Sequence, residues 1–118
     1  MLSEHEQQKL VFKWAEKYPE IYKTMFAVPN GGLRNKSVAI KLKQEGVKSG
    51  IPDIQICLMR KGKGGMFIEL KTQKGRVSPT QQDWIKRLND NGYHAIVAYG
   101  YEQAIQEIKN YVFDNEMH

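Results

Sequence analysis

The chain has 118 residues, of which 41% are hydrophobic and 26% charged, and 18 Lys and Arg against 13 Asp and Glu give a formal net charge of +5. That length suits one domain, 1–118, with its own core and leaves no room for separate catalytic and recognition domains, while no apolar run approaches the roughly 18 to 20 residues of a membrane span. The basic surplus favours a polyanionic partner, although a soluble basic protein with no such partner has the same composition.

The opening residues Met1-Leu2-Ser3-Glu4-His5-Glu6 are polar and acidic, unlike the basic and then apolar start of a secretory signal, so a cytoplasmic, intracellular chain is expected. Residues 3–18 form an amphipathic helix pattern, with Ser3 as N-cap, Glu6 completing a capping box, and Val11, Trp14, Ala15 and Tyr18 on the buried face; Pro19 ends it. A short strand at residues 25–28 runs into the dense turn signal Pro29-Asn30-Gly31-Gly32. A second helix is predicted over about 35–45, with Val38, Ala39 and Leu42 inward, a basic outer face and Gly46 as its stop.

Residues 53–58 and 66–71 read as two strands of a hairpin joined by the basic turn at 60–65. The single cysteine, Cys57, falls in that apolar run and reads as a buried thiol in a reducing compartment. Ser78 as N-cap, Pro79 at the first helical position and Gln81 at the third open a helix carrying Trp84, Ile85 and Leu88, which Gly92 stops. A last strand at 94–99 and a last helix from 102 to about 113, with Ala104, Ile105, Ile108 and Val112 on one face, complete the order α, β, α, β, β, α, β, α of one layered α/β domain.

Alternation along the strand at 66–71 puts Glu69 and Lys71 on one side and Ile68 and Leu70 on the other. Asp53 opens the partner strand behind Pro52, which biases Ile51 to extended backbone, so hairpin pairing brings Asp53 beside Glu69. Two converging carboxylates repel unless a cation separates them, and hard oxygen ligands suit Mg2+ or Mn2+. Two carboxylates, a divalent cation and an amine form the inventory of metal-assisted phosphodiester hydrolysis, with Lys71 placed to position water or stabilise developing charge. The bland alternative is that Glu69 and Lys71 are a solvated strand face and Asp53 a post-proline turn residue. His5, His94 and His118 are too scattered for a zinc site.

Taken in order, Ser3-Glu4 with Gln8, Pro29-Asn30-Gly31-Gly32 with Arg34, the segment Gly46-Val47-Lys48-Ser49-Gly50-Ile51-Pro52-Asp53, Ile68-Glu69-Leu70-Lys71, and Gly75-Arg76-Val77-Ser78 leading to Gln81 and Trp84 resemble a stand-alone VRR-NUC domain, a branch of the PD-(D/E)XK nuclease superfamily. The resemblance spans nearly the whole chain. It implies a restriction-endonuclease-like core, α-β-β-β-α-β, whose mixed central sheet is flanked by helices, here with an inserted helix after the first strand and a C-terminal helix. It also implies a Mg2+- or Mn2+-dependent DNA endonuclease acting on branched DNA, similar to homodimeric Holliday-junction resolvases, in a bacterial or phage setting.

Nucleases of this type often add a carboxylate from the first helix. At roughly 100° per residue Glu4 falls near the centre of the buried face with Gln8 one turn on, whereas Glu6 points nearly opposite and serves the capping box. The expected metal ligands are Asp53, Glu69 and Glu4, with Lys71 as base or charge stabiliser. Lys36, Lys41, Lys43 and Lys48 surround the approach to Asp53, and Arg60, Lys61, Lys63, Lys74 and Arg76 lie in turns at the ends of the hairpin. Of the basic residues, Arg34, Lys48, Lys74 and Arg76 are expected on the nucleic acid because they lie in or beside the family-like segments. Asn30 reads as turn chemistry or as part of a phosphate approach, and Gln81 equally as capping partner or as a polar contact at the site. Met66, Phe67, Trp84 and Tyr99 are expected in the core. Three rival functions remain open: a monomeric flap or single-strand-cutting nuclease, a nucleic-acid-binding module without turnover, and a protein-interaction subunit whose basic surface is incidental.

Overall fold

The computed structural model describes residues 1–29 and 35–113; Asn30 and Arg34, with the rest of the predicted glycine turn, lie outside them. Helix α1 (Glu4–Ala15) starts at Ser3, whose hydroxyl accepts from the Glu6 amide while the Glu6 carboxylate accepts from the Ser3 amide, closing the expected capping box. That helix stops at Ala15, with Glu16 as its C-cap, short of the expected residue 18, and Pro19 begins another rather than ending the first. Its fixed φ suits a first helical position, and it opens the single turn α2 (Pro19–Tyr22), which buries Ile21.

Strand β1 (Met25–Ala27) pairs antiparallel with β2 (Ile54–Ile56), and β2 antiparallel with β3 (Met66–Lys71). Strand β4 (His94–Tyr99) lies parallel to β3, and the sheet order is β1-β2-β3-β4. A parallel neighbour needs a crossover, and α4 (Pro79–Asp90) supplies it. The result is the expected α/β fold, a mixed four-stranded sheet flanked by helices.

One face of the sheet carries Ile54, Ile56, Met66, Ile68, Leu70 and Ala98, all buried against Val11 and Ala15 of α1 and Ala104, Ile108 and Tyr111 of α5 (Tyr101–Phe113). Strand β3 is buried on both faces, which makes it the rigid centre of the sheet.

Four further expectations change. Helix α3 (Lys36–Gln44) forms, capped by the Asn35 side chain accepting from the Val38 amide at 2.9 Å, but it buries none of its residues, and Val38 and Ile40 are 37% and 49% exposed. Helical spacing shows that a face is apolar, not that another element covers it. Cys57 is exposed, because β2 stops at Ile56 and the alternation that turns Ile54 and Ile56 inward leaves the thiol outside. Met66 and Phe67 are core residues as expected, whereas Tyr99 is 36% exposed and Trp84 is half-buried beneath the Arg87 guanidinium, 4.5 Å from its ring centre. Among the described residues no helix is long and apolar enough to cross a membrane.

Candidate active site

The antiparallel register places Ile54 opposite Ile68, so Asp53, one residue before β2, comes level with the C-terminal half of β3. Pro52 is fully buried, and the Asp53 carbonyl accepts from the Val28 amide at 2.7 Å, tying the entry of β2 to the end of β1. The Asp53 side chain reaches the other way, and its Oδ2 accepts from the Leu70 amide at 2.8 Å. One carboxylate oxygen thus replaces a ladder partner and holds the group against β3.

Glu69 is the one charged side chain in the core of the described chain, 1% exposed. Its Oε2 accepts from Gln81 Nε2 at 3.1 Å and lies 3.6 Å from Lys71 Nζ. Its Oε1 is buried with no hydrogen-bond partner among the described residues. Burial first, and then the neighbouring Asp53 carboxylate, push the Glu69 carboxyl up to about 8, against the opposing pull of Lys71.

Glu4 faces the same cluster. Burial and then Asp53 raise its carboxyl above the usual range, and Lys71 works in the opposite sense. Glu6 instead stays with Ser3, whose backbone and hydroxyl bonds hold its carboxyl low. The wheel placed Glu4 near the centre of the buried face, whereas the structure leaves it exposed at the helix start; what sets it apart from Glu6 is that Asp53 and Lys71 act on it.

Gln81 resolves a choice the sequence left open by filling both roles. Its Oε1 accepts from the Ser78 amide at 2.8 Å, its own amide donates to Ser78 Oγ at 3.2 Å, and its Nε2 remains free to donate to Glu69. The N-terminal turn of α4 is thereby fastened to the carboxylate cluster.

Two glycines set the approach, and the sequence showed neither contact. Gly50 has φ +87°, and a Cβ there would lie 2.5 Å from Thr80 Cγ2, so the segment before Asp53 packs directly on the first turn of α4. A Cβ on Gly75 would come within 3.2 Å of Lys71 Cδ. A G-x-P-D spacing hints at a special backbone at Gly50, but nothing in the sequence names Thr80 as its neighbour.

Lys48, in the segment before Asp53, and Lys74 and Arg76, in the segment after β3, are exposed at the end of the sheet that carries the carboxylates. Arg60 and Lys61 lie at the other end, where Arg60 bonds Glu20 and the Val112 carbonyl and Lys61 bonds the Asn110 carbonyl. These two basic residues hold the fold together rather than frame the site. Gln8 lines a concavity between α1 and β1, and the neighbouring Gln7 ties α1 to α5, its Oε1 accepting from the Tyr101 amide at 2.8 Å.

The residues fit a divalent cation. An orphaned buried carboxylate oxygen on Glu69 beside a second carboxylate on Asp53 offers hard oxygen donors of the kind such a cation takes. Among the described residues no three His, Cys, Asp or Glu side chains converge tightly enough to enclose a metal alone. Asp53 and Glu69 would be the near ligands of such a cation and Glu4 a more distant acidic neighbour, a sparse set of the kind that suits Mg2+, which keeps much of its water.

A sequence profile of the VRR-NUC domain matches residues 2–102, a span that includes Glu4, Asp53, Glu69, Lys71 and Gln81. A solved structure titled "VRR_NUC domain protein" superposes with a TM-score of 0.85 at 30% sequence identity, covering 95% of this chain and 89% of that one. No functionally curated protein matches the sequence significantly.

Proposed function

The chain belongs to the VRR-NUC domain family, a nuclease family, and from that premise we propose that it is a Mg2+- or Mn2+-dependent endonuclease that hydrolyses phosphodiester bonds of branched DNA as a homodimer. The observation that carries the reading is the buried Glu69 carboxylate, whose Oε1 lacks a partner among the described residues while Asp53 stands beside it. A protein that only bound nucleic acid would gain nothing from burying acidic groups where a phosphate must approach.

Asp53 and Glu69 would hold the cation, with Glu4 adding negative charge behind them. What a divalent cation supplies here is Lewis-acid polarisation of the phosphodiester and water made nucleophilic near neutral pH. Gln81 and the Leu70 amide fix one oxygen of each carboxylate, so neither group has to reorganise when substrate binds. Lys71, 3.6 Å from Glu69 and only 12% exposed, places an amine at the reacting phosphate to orient water or to offset charge that develops on the phosphoryl oxygens. Lys48, Lys74 and Arg76 hold flanking phosphates. The homodimer is supported by symmetry: resolving a junction takes two cuts related by a twofold axis, which a closed dimer supplies.

The test is cleavage of a labelled four-way junction, a flap and a plain duplex in Mg2+, Mn2+ or EDTA, beside Asp53→Ala, with the mass in solution measured by light scattering. Paired symmetric cuts in the junction, metal-dependent and lost in the variant, from a protein of dimer mass, are expected. Cleavage that survives EDTA or the substitution removes the proposed site. Cutting of the flap alone by a monomer replaces the junction reading with a flap nuclease, and binding without cutting in every metal makes the chain a binding module.

A further inference from the structure

Between α1 and β1 lies a concavity of about 300 Å3 lined by His5, Gln8, Lys9, Phe12 and Ala27, which the proposed chemistry does not use. Positions 5, 8, 9 and 12 follow the i, i+3, i+4, i+7 spacing of one helical stripe, and Glu4 lies one turn before Gln8 at its edge. On the other wall Ala27 pairs in register with Ile54, and the next residue, Val28, donates its amide to the Asp53 carbonyl. The concavity is therefore flanked on one side by the helix position of Glu4 and on the other by the backbone that carries Asp53.

Its lining is specific in kind. Phe12 packs against the core and presents a fixed aromatic ring, Gln8 brings an amide that can both donate and accept, Lys9 an exposed ammonium and His5 an imidazole. A volume of about 300 Å3 is at the small end of ligand pockets, enough for one flat ring system. A flat ring with hydrogen-bonding edges, attached to an anionic phosphate, is a nucleotide. A base inside a duplex has its faces stacked and its edge paired, so only an unpaired one can enter.

We propose that this concavity takes the base of an unpaired nucleotide next to the scissile phosphate, stacked on Phe12 with Gln8 at its edge and Lys9 on its phosphate. Strand interruption, rather than base sequence, then places the cut, because every base offers a ring face to Phe12. The proposal rests on the nuclease reading and adds one requirement to it: the branch point, whether a flap or an opened junction, must expose an unpaired nucleotide.

The probe is a flap DNA with 2-aminopurine as the first unpaired nucleotide, titrated with the full chain in EDTA, together with cleavage of flap and continuous duplex in Mg2+. Wild-type protein should quench the probe. Phe12→Leu, which keeps an apolar side chain against the core, should abolish the quench and weaken flap binding about tenfold, the scale of base–aromatic stacking, with duplex binding unchanged. Phe12→Tyr should restore the quench. Lys9→Ala, at an exposed position that the fold does not need, should weaken flap binding more than duplex binding. An undiminished quench in Phe12→Leu, or equal losses on flap and duplex in both variants, overturns the pocket while leaving metal-dependent cleavage in place. A Phe12-dependent quench from a protein that cuts nothing in any metal supports the pocket and defeats the nuclease reading instead.

Discussion

Glu69 sits where its protonated form is favoured, since burial and the Asp53 carboxylate raise it from 4.5 to about 8 and outweigh Lys71. Between those values the folded chain holds a proton that the unfolded chain releases, so stability falls as pH rises. The contribution is full below about 4.5 and is lost as pH climbs through about 8, and Glu4, raised for the same reasons, acts in the same direction. Melting in EDTA should therefore show a midpoint that drops across this window, and Glu69→Gln should flatten the profile. Added Mg2+ should stabilise the wild type most at the alkaline end, where both carboxylates are ionised. A flat EDTA profile in the wild type would show that burial and Asp53 do not hold a proton on Glu69. A second residue-scale prediction concerns Gly50. A Cβ would meet Thr80 Cγ2 at 2.5 Å and the Thr80 backbone carbon at 3.0 Å, and φ +87° strains any L side chain. Gly50→Ala should cost about 1–3 kcal/mol in denaturant melts and lower cleavage at least about tenfold through displacement of Asp53. Pairing it with Thr80→Ala should restore only part of the loss, because the backbone contact remains.

At the scale of elements the sheet and α3 stand at opposite extremes. Strand β3 is buried along nearly its whole length and paired on both sides, whereas α3 buries no residue and rests on its own hydrogen bonds and the Asn35 cap. Nine helical residues with no buried side chain are marginal in water. Hydrogen exchange should show α3 amides exchanging through local opening while β3 amides exchange last, and Asn35→Ala should speed exchange in α3 with no change in the global melt. Protection in α3 equal to that of β3 would mean that something covers the helix in solution. The same contrast explains what could be read from the chain. Ser3 with Glu6 and Ser78 with Gln81 are local codes, and both boxes form as read. Alternation placed Glu69 and Lys71 on one face for the same reason, and the hairpin brought Asp53 to them. The mixed character of the sheet came from the family resemblance, and that β3 and β4 are its parallel pair was not read from either strand. The exposure of α3 and the seating of Gly50 on Thr80 depend on distant elements, which periodicity does not report, whereas the exposure of Cys57 follows from the alternation of β2 itself. Gln81 lies between these cases, since the sequence offered two partners and a side-chain amide has enough groups to satisfy both.

Across the whole molecule the net charge of +5 is divided between two uses. At the far end of the sheet Arg60 and Lys61 bond Glu20, Val112 and Asn110, so their charge goes to the fold. At the site end Lys48, Lys74 and Arg76 are exposed beside three acidic residues that by themselves would repel DNA. A polyanion can therefore be held only by charge placed around the carboxylates, not by the total. Each lysine or arginine on a phosphate releases counterions, so log affinity for duplex DNA should fall linearly with log salt, by about 0.9 in slope per contact. Lys48→Ala, Lys74→Ala and Arg76→Ala should each lower the slope by about one contact and weaken all DNA sequences alike. Lys61→Ala removes the same formal charge from the other end and should leave the slope unchanged. Equal slopes for all four variants would mean that net charge alone attracts the DNA, and that the arrangement of basic residues around Asp53 and Glu69 plays no part in holding it.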